Sequence, residues 1–118
     1  MLVRDRKGRT WGVPGGGVEW SEAPELTVVR EFKEETGLVV VVDRLLGVHT
    51  NVFPATKNRA AMHFIGVLYE GRLLSGTLTS EVDGSTDEAR WVSISSFATT
   101  PLNDHARNAL SVAGVLSD

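Results

Sequence analysis

Short apolar and β-branched blocks recur along the chain between glycine-rich or charged breaks, and two segments depart from them with a helical period. Leu2 to Val13 predicts two short strands, turned at Asp5 to Arg9, where Lys7-Gly8 supplies the bend. Pro14-Gly15-Gly16-Gly17 then interrupts regular structure. Ser21 is the expected N-cap of a helix running to about Thr36. Pro24 falls in its first turn, where a missing N–H costs little, and Gly37 is the natural left-handed residue to end it. Val39 to Val42, Leu45 to Phe53 and Ala61 to Leu68 suit strands, with Pro54 to Arg59 as a hairpin-tip loop. Leu73 to Asp87, rich in Gly, Ser, Thr and acids, reads as a long loop and Ala89 to Val92 as a short strand. Asn103 to Leu116 reads as a second helix, with Ala106, Ala109, Leu110, Val112, Ala113 and Leu116 at helical spacing. This order predicts an α+β fold, a mixed β-sheet sandwiched by helices.

On a wheel of the first helix, Ala23, Leu26, Val29 and Phe32 share one half. Thr27, Glu31, Glu34 and Glu35 fill a wedge of about 100° opposite them. Lys33 projects toward the apolar half and has to run its stem along the surface. Glu31, Glu34 and Glu35 stand at i, i+3 and i+4, where like charges repel. They also crowd the last turns of the helix, whose dipole already disfavours negative charge. A cation is expected at that face.

The 118 residues carry 42% hydrophobic and 23% charged residues, which suits a single domain over 1–118 with one core. The absence of cysteine removes disulfides, thiolate nucleophiles and sulfur-ligated zinc. A formal charge of -3 gives no broad basic surface, which argues against a grip on long nucleic acid but leaves room for a small phosphorylated ligand. No apolar run approaches a membrane span and MLVRDRKGRT lacks a signal-peptide core, so the chain reads as a soluble, cytoplasmic protein.

Hard divalent cations such as Mg²⁺ prefer oxygen ligands, and three carboxylates on one face offer them. Mg²⁺ commonly shares its shell with substrate phosphates, so the acidic face predicts a phosphate-bearing substrate. Gly15, Gly16 and Gly17, lacking side chains, let backbone approach a pyrophosphate or a metal closely.

Gly16, Glu22, Arg30-Glu31-Phe32, Glu34-Glu35 and Gly37-Leu38 match the spacing G-x5-E-x7-R-E-U-x-E-E-x-G-U, which resembles the Nudix hydrolase box of MutT-like proteins. Every polar and glycine position matches, with a chance probability of about one in a hundred million per start position. Phe32 stands where an aliphatic is usual. The resemblance extends from LVRD through the box to DEARW at Asp87 to Trp91 and implies a hydrolase that cleaves a nucleoside diphosphate linked to another moiety, by attack of water on phosphorus with Mg²⁺ or Mn²⁺ bound. Carried over by position, Glu31, Glu34 and Glu35 are metal ligands, joined by a carbonyl of Gly15 or Gly16. Arg30, four residues before Glu34, orients that carboxylate. Glu31 is favoured as general base, with Glu81 and Glu88 as downstream alternatives. Pro54, 16 residues after Leu38, is close to a spacing associated with ADP-ribose hydrolases in the family, and a hairpin-tip proline explains it equally well.

Arg4 is a candidate phosphate contact, although Arg4, Arg6, Lys7 and Arg9 also read as solubilising charges at a turn. Trp11 and Trp91 suit sheet packing, Trp20 has no clear assignment, and His49, His63 and His105 show no ligand spacing. Family members usually carry a further strand ahead of the one Leu2 opens. Leu2 to Arg4 is therefore expected at an open sheet edge, filled by a homodimer partner or by residues encoded upstream. The rival function is a non-catalytic domain that senses a nucleotide or binds a protein. Such domains usually lose box carboxylates, and all are kept here.

Overall fold

The computed structural model describes residues 1–116. Its order is β1 (Leu2–Asp5), β2 (Trp11–Gly12), α1 (Pro24–Thr36), β3 (Leu38–Phe53), β4 (Met62–Gly76), β5 (Thr86–Arg90), a 3₁₀ helix (Ile94–Thr99) and α2 (Asp104–Val112). The α+β class is as expected. The strands form a three-stranded antiparallel sheet, β2-β1-β5, and a long β3-β4 hairpin, while a parallel bridge joins Trp11 to Leu102. Among the described residues no helix is long and apolar enough to cross a membrane.

The expected open edge at Leu2 to Arg4 is overturned. β1 is the middle strand, pairing Val3 with Gly12 on one side and with Ala89 on the other. The reason lies in β5, which starts at Thr86, three residues before the expected Ala89, and so lies along the whole of β1. Exposed apolar residues fall instead on the hairpin, at Val48, Val52 and Ile65.

β4 also runs further than expected. Leu73, Ser75 and Gly76 pair with Val40, Val39 and Leu38, so the loop is confined to residues 77–85. Gly76 at φ 105° lets this end of the hairpin follow the turn out of α1, a conformation that costs other residues strain. The strands expected at Val39 to Val42 and Leu45 to Phe53 are one strand, which absorbs Asp43 and Arg44 through register shifts. Their charges are met across the ladder by Arg72 and Glu70.

α1 starts at Pro24 with Ala23 as N-cap and no side-chain cap; Ser21 sits just outside at φ 63°. Proline at the first position removes one unpaired N–H, and the Leu26 N–H, which a cap hydroxyl would serve, donates to the Ala23 carbonyl at 3.0 Å instead. The wheel also needs inverting. Leu26 is 62% exposed, whereas Thr27, Glu35 and Thr36 are buried, so the acidic wedge faces inward toward the rest of the domain. The core is built elsewhere, from Leu2, Trp11, Phe97, Leu102 and Ala106, between the three-stranded sheet, the 3₁₀ helix and α2. Asn103 caps α2, its Oδ1 accepting from the Ala106 N–H at 2.8 Å.

Gly37 ends α1 in the left-handed region at φ 76°, its N–H donating to the Lys33 carbonyl. A Cβ there would lie 2.4 Å from the Thr77 carbonyl oxygen and 2.5 Å from Thr79 Oγ1. Gly37→Val therefore combines backbone strain with a clash and should cost on the order of 2 kcal/mol or more. A thermal melt checks this, and an unchanged midpoint would contradict the cap.

Candidate active site

The inward face of α1 is organised by Arg30. Its Nε donates to Glu22 Oε2 at 2.8 Å and its Nη1 to Glu31 Oε1 at 2.9 Å, with Glu34 Oε2 at 3.4 Å. Its Nη2 donates to Glu22 Oε1 at 3.0 Å and to the Gly17 carbonyl at 3.2 Å. Glu34 is therefore its weaker partner, and Glu22, eight residues earlier, the stronger one. This fork ties the glycine-rich loop to the helix. Glu22 also accepts from Thr27 Oγ1 at 2.6 Å, and Arg30 beside it holds its carboxyl at about 2.

One guanidinium does not balance this face. Glu19, Glu22, Glu31 and Glu34 all lie within 3.6 Å of Arg30. Behind them Glu35 is only 4% exposed, and Gly15 N–H donates to its Oε1 at 2.8 Å. Burial pushes the Glu35 carboxyl up to about 7, and the charges of Glu31, Glu81 and Glu34 push the same way, against the Gly15 hydrogen bond. Burial likewise raises Glu31, opposed by Arg30 and reinforced by Glu34 and Glu81. Four carboxylates thus feel one another across a small volume.

The glycines reach the same place. A Cβ on Gly16 would lie 2.4 Å from the Glu31 carboxyl carbon, so only glycine lets that carboxylate rest on the loop. At Gly15 and Gly17 a Cβ would meet open space, and what these two contribute is a backbone N–H and a carbonyl.

Among the described residues, no three His, Cys, Asp or Glu side chains stand close enough together to hold one ion as placed. Glu31 turns to Arg30 and Glu35 to Gly15. The donor set itself fits a hard divalent cation, because it is all oxygen and carries uncompensated negative charge. Closing it around an ion requires carboxylates to rotate from their present partners, and Glu34, with half its side chain exposed, has room to do so.

Beside Glu35 and Gly15 opens a cleft of about 320 Å³, lined also by Val3, Thr10, Gly12, Val13, Thr86 and Asn103. Its lining is mostly polar, with Val3 and Val13 as the apolar part, which suits a small polar molecule. Sequence reading missed this lining because its residues come from β1, β2, β5 and the start of α2. Asn103 was legible only as a helix start.

The remaining candidates separate. Glu81 stands on the 77–85 loop and accepts from Thr86 Oγ1 at 2.9 Å, and Thr86 lines the cleft with Glu35. Glu88 sits on β5 between Arg4 and Arg90. Arg4 is taken by Asp87, its Nε donating to Oδ1 at 2.8 Å, and lies over the Trp11 ring, away from the cleft that its neighbours Val3 and Asp5 line. Trp11 is buried as expected, Trp91 is exposed, and Trp20 projects beside the glycine loop, 97% exposed. His49 and His105 form a ring contact at 4.7 Å.

A carboxylate-lined helix face, closed by a left-handed glycine and preceded by a glycine loop beside a cleft, marks a distinct class of α+β domain. The NUDIX domain model matches residues 1–112, and the chain belongs to that family. It is 47% identical over 51 residues to a MutT-like protein of Streptomyces ambofaciens, covering 43% of this chain and 33% of that protein. It is 38% identical over 78 residues to an ADP-ribose pyrophosphatase of Methanocaldococcus jannaschii, covering 66% of this chain and 44% of that protein. Its structure resembles that of a MutT Nudix hydrolase from Burkholderia pseudomallei with a TM-score of 0.73 at 29% identity, covering 93% of this chain and 84% of that one. The chain thus spans less than half the length of these two curated relatives.

The raised carboxyl gives a pH prediction for protein held in chelator. Folded Glu35 titrates at about 7 against an ordinary 4.5. Between those values the folded chain binds a proton the unfolded chain has released, so stability falls as pH rises through that window, by about 3 kcal/mol in all. His105, lowered by burial, acts in the opposite sense but equally in a Glu35→Gln variant. Melts of parent and variant from pH 4.5 to 7.5 should diverge, the variant gaining relative to the parent. Parallel curves would contradict the placement of Glu35.

Proposed function

We propose that the chain hydrolyses the phosphoanhydride of a nucleoside diphosphate linked to another moiety, with a divalent cation as cofactor. The observation that carries this is Glu35, a buried carboxyl raised to about 7 by its surroundings, facing three more carboxylates at the mouth of a cleft. Such an arrangement destabilises the domain unless a cation or a proton is present, and its persistence is explained by a function that supplies one. Family membership and the pyrophosphatase among the relatives support the same reading.

Glu31, Glu34 and Glu35 would hold the ion, with a carbonyl of Gly15 or Gly16. When bound it supplies Lewis acidity at the phosphoanhydride and a lowered pKa for water. Arg30 keeps α1 and the glycine loop in register, so the carboxylates and the backbone meet the pyrophosphate together. The cleft takes the nucleoside, its apolar side against Val3 and Val13 and its polar edge toward Asn103. Water oxygen bonds to phosphorus, the bridging P–O bond breaks, and the leaving phosphate takes the electron pair. The water proton passes to Glu81. Glu31, the first choice from sequence, is committed to Arg30 and to the ion, and Glu88 to Arg4 and Arg90.

Substrates to screen are nucleoside triphosphates, ADP-ribose, nucleotide sugars and dinucleoside polyphosphates, with phosphate or pyrophosphate release as the readout. Turnover should vanish in chelator and return with Mg²⁺ or Mn²⁺. Glu34→Gln and Glu35→Gln should each lose roughly tenfold or more in kcat while the fold survives, and in chelator each should be as stable as the parent or more so. Full turnover in excess chelator would overturn the metal assignment. Nucleotide binding without product would point to the non-catalytic alternative.

A further inference from the structure

The turn after β1 carries Arg6, which has the position of an ordinary solubilising charge and is itself exposed. Its guanidinium nevertheless gathers three carbonyls from one loop. Nε donates to Gly84 O at 3.0 Å, and Nη2 donates to Val82 O at 2.7 Å and to Thr86 O at 3.2 Å. The Arg6 backbone N–H adds a fourth bond, to Ser85 O at 2.9 Å. A planar fork with fixed donor directions holds several carbonyls in one arrangement, which an ammonium does not.

Glu81 immediately precedes these clamped residues. Its Oε1 accepts from Thr86 Oγ1 at 2.9 Å, and Thr86 is buried and supplies one of the Arg6-bound carbonyls. The Glu81 carboxylate folds over Gly84, where a Cβ would stand 1.9 Å from its carboxyl carbon. Gly84 is another residue held through its carbonyl by Arg6. Both supports of the carboxylate, the Thr86 hydroxyl and the bare Gly84 backbone, are therefore fixed by one side chain. Thr86, the hydroxyl partner of Glu81, lines the same cleft as Glu35, so this seat lies beside the α1 carboxylates.

We propose that Arg6 is a positioning residue for the reaction: it sets the 82–86 loop so that the Glu81 carboxylate faces the α1 carboxylates. This rests on the reading of Glu81 as the proton acceptor. Arg6 touches no member of the α1 carboxylate cluster, so its effect on turnover passes through Glu81.

The test is a double-mutant cycle on the whole chain with Mg²⁺ and the best substrate of the panel. Arg6→Ala should lower kcat roughly 10- to 100-fold with KM changed less than about twofold, since a displaced acceptor costs rate and not ground-state binding. Glu81→Gln should lower kcat by roughly 100-fold or more. In the Glu81→Gln background Arg6→Ala should cost less than about twofold further. Arg6→Lys, keeping the charge but losing the fork, should fall between parent and Arg6→Ala. Equal losses from Arg6→Ala in both backgrounds, or none in either, would overturn the proposal. Gly84→Ala is an independent probe that leaves Arg6 intact, and it should reproduce the Arg6→Ala phenotype by displacing the same carboxylate. Amide exchange across residues 82–86 should speed up in Arg6→Ala, and this readout needs no turnover. Unchanged exchange would remove the clamp even in an active enzyme. Faster exchange in a chain whose parent hydrolyses nothing would leave the clamp standing and remove the hydrolase reading.

Discussion

The structure turns on a buried carboxyl with no cation of its own. Glu35 is held inside by a single backbone N–H from Gly15; burial raises its pKa, and Glu31, Glu81 and Glu34 push it the same way. Arg30 is already engaged by Glu22 and Glu31. Much of the surrounding geometry bears on bringing these negative groups together. The glycine loop must approach without Cβ atoms at Gly16, the helix must end sharply at Gly37, and β1 must bring Val3 and Asp5 to the other wall of the cleft. Hydrophobic burial does little of this work in α1, whose apolar positions are half-buried or exposed while Thr27, Glu35 and Thr36 are buried.

The helix and its chemistry were legible in the chain because both depend on local spacing. Glutamates at i, i+3 and i+4 share a face whatever the rest of the fold does, and a glycine after the last turn meets a local backbone demand. The direction in which that face points was not legible. An amphipathic wheel assumes that the apolar half is inside, and here the polar half faces the cleft. The same limit applied to β1. Its second neighbour, β5, lies over eighty residues away and reads weakly as a strand, because Thr86-Asp87-Glu88 carries acids whose partners, Arg4 and Arg9 for Asp87 and Arg4 and Arg90 for Glu88, are met only in the folded chain.

Two arginines near the end of β1 show the same division. Arg4 and Arg6 are two residues apart and chemically identical in the sequence, yet one is held by Asp87 and the other by three backbone carbonyls. Carbonyl groups leave no trace in a residue pattern, so a clamp made from them appears only once the loop and the turn are seen side by side. The cleft lining, drawn from four separate elements, was hidden for the same reason.

The central claim is that the α1 carboxylates form a cation site protonated in the ion's absence. Because burial raises the Glu35 carboxyl to about 7, binding of Mg²⁺ near neutral pH must expel a fraction of a proton per site. Calorimetric titration of Mg²⁺ into the chain, in two buffers of different ionisation enthalpy, measures that number directly. Release is expected at pH 7, falling as pH rises above the raised Glu35 pKa, and lost in Glu35→Gln. Binding with no proton release at pH 7, or release that persists in Glu35→Gln, would contradict it.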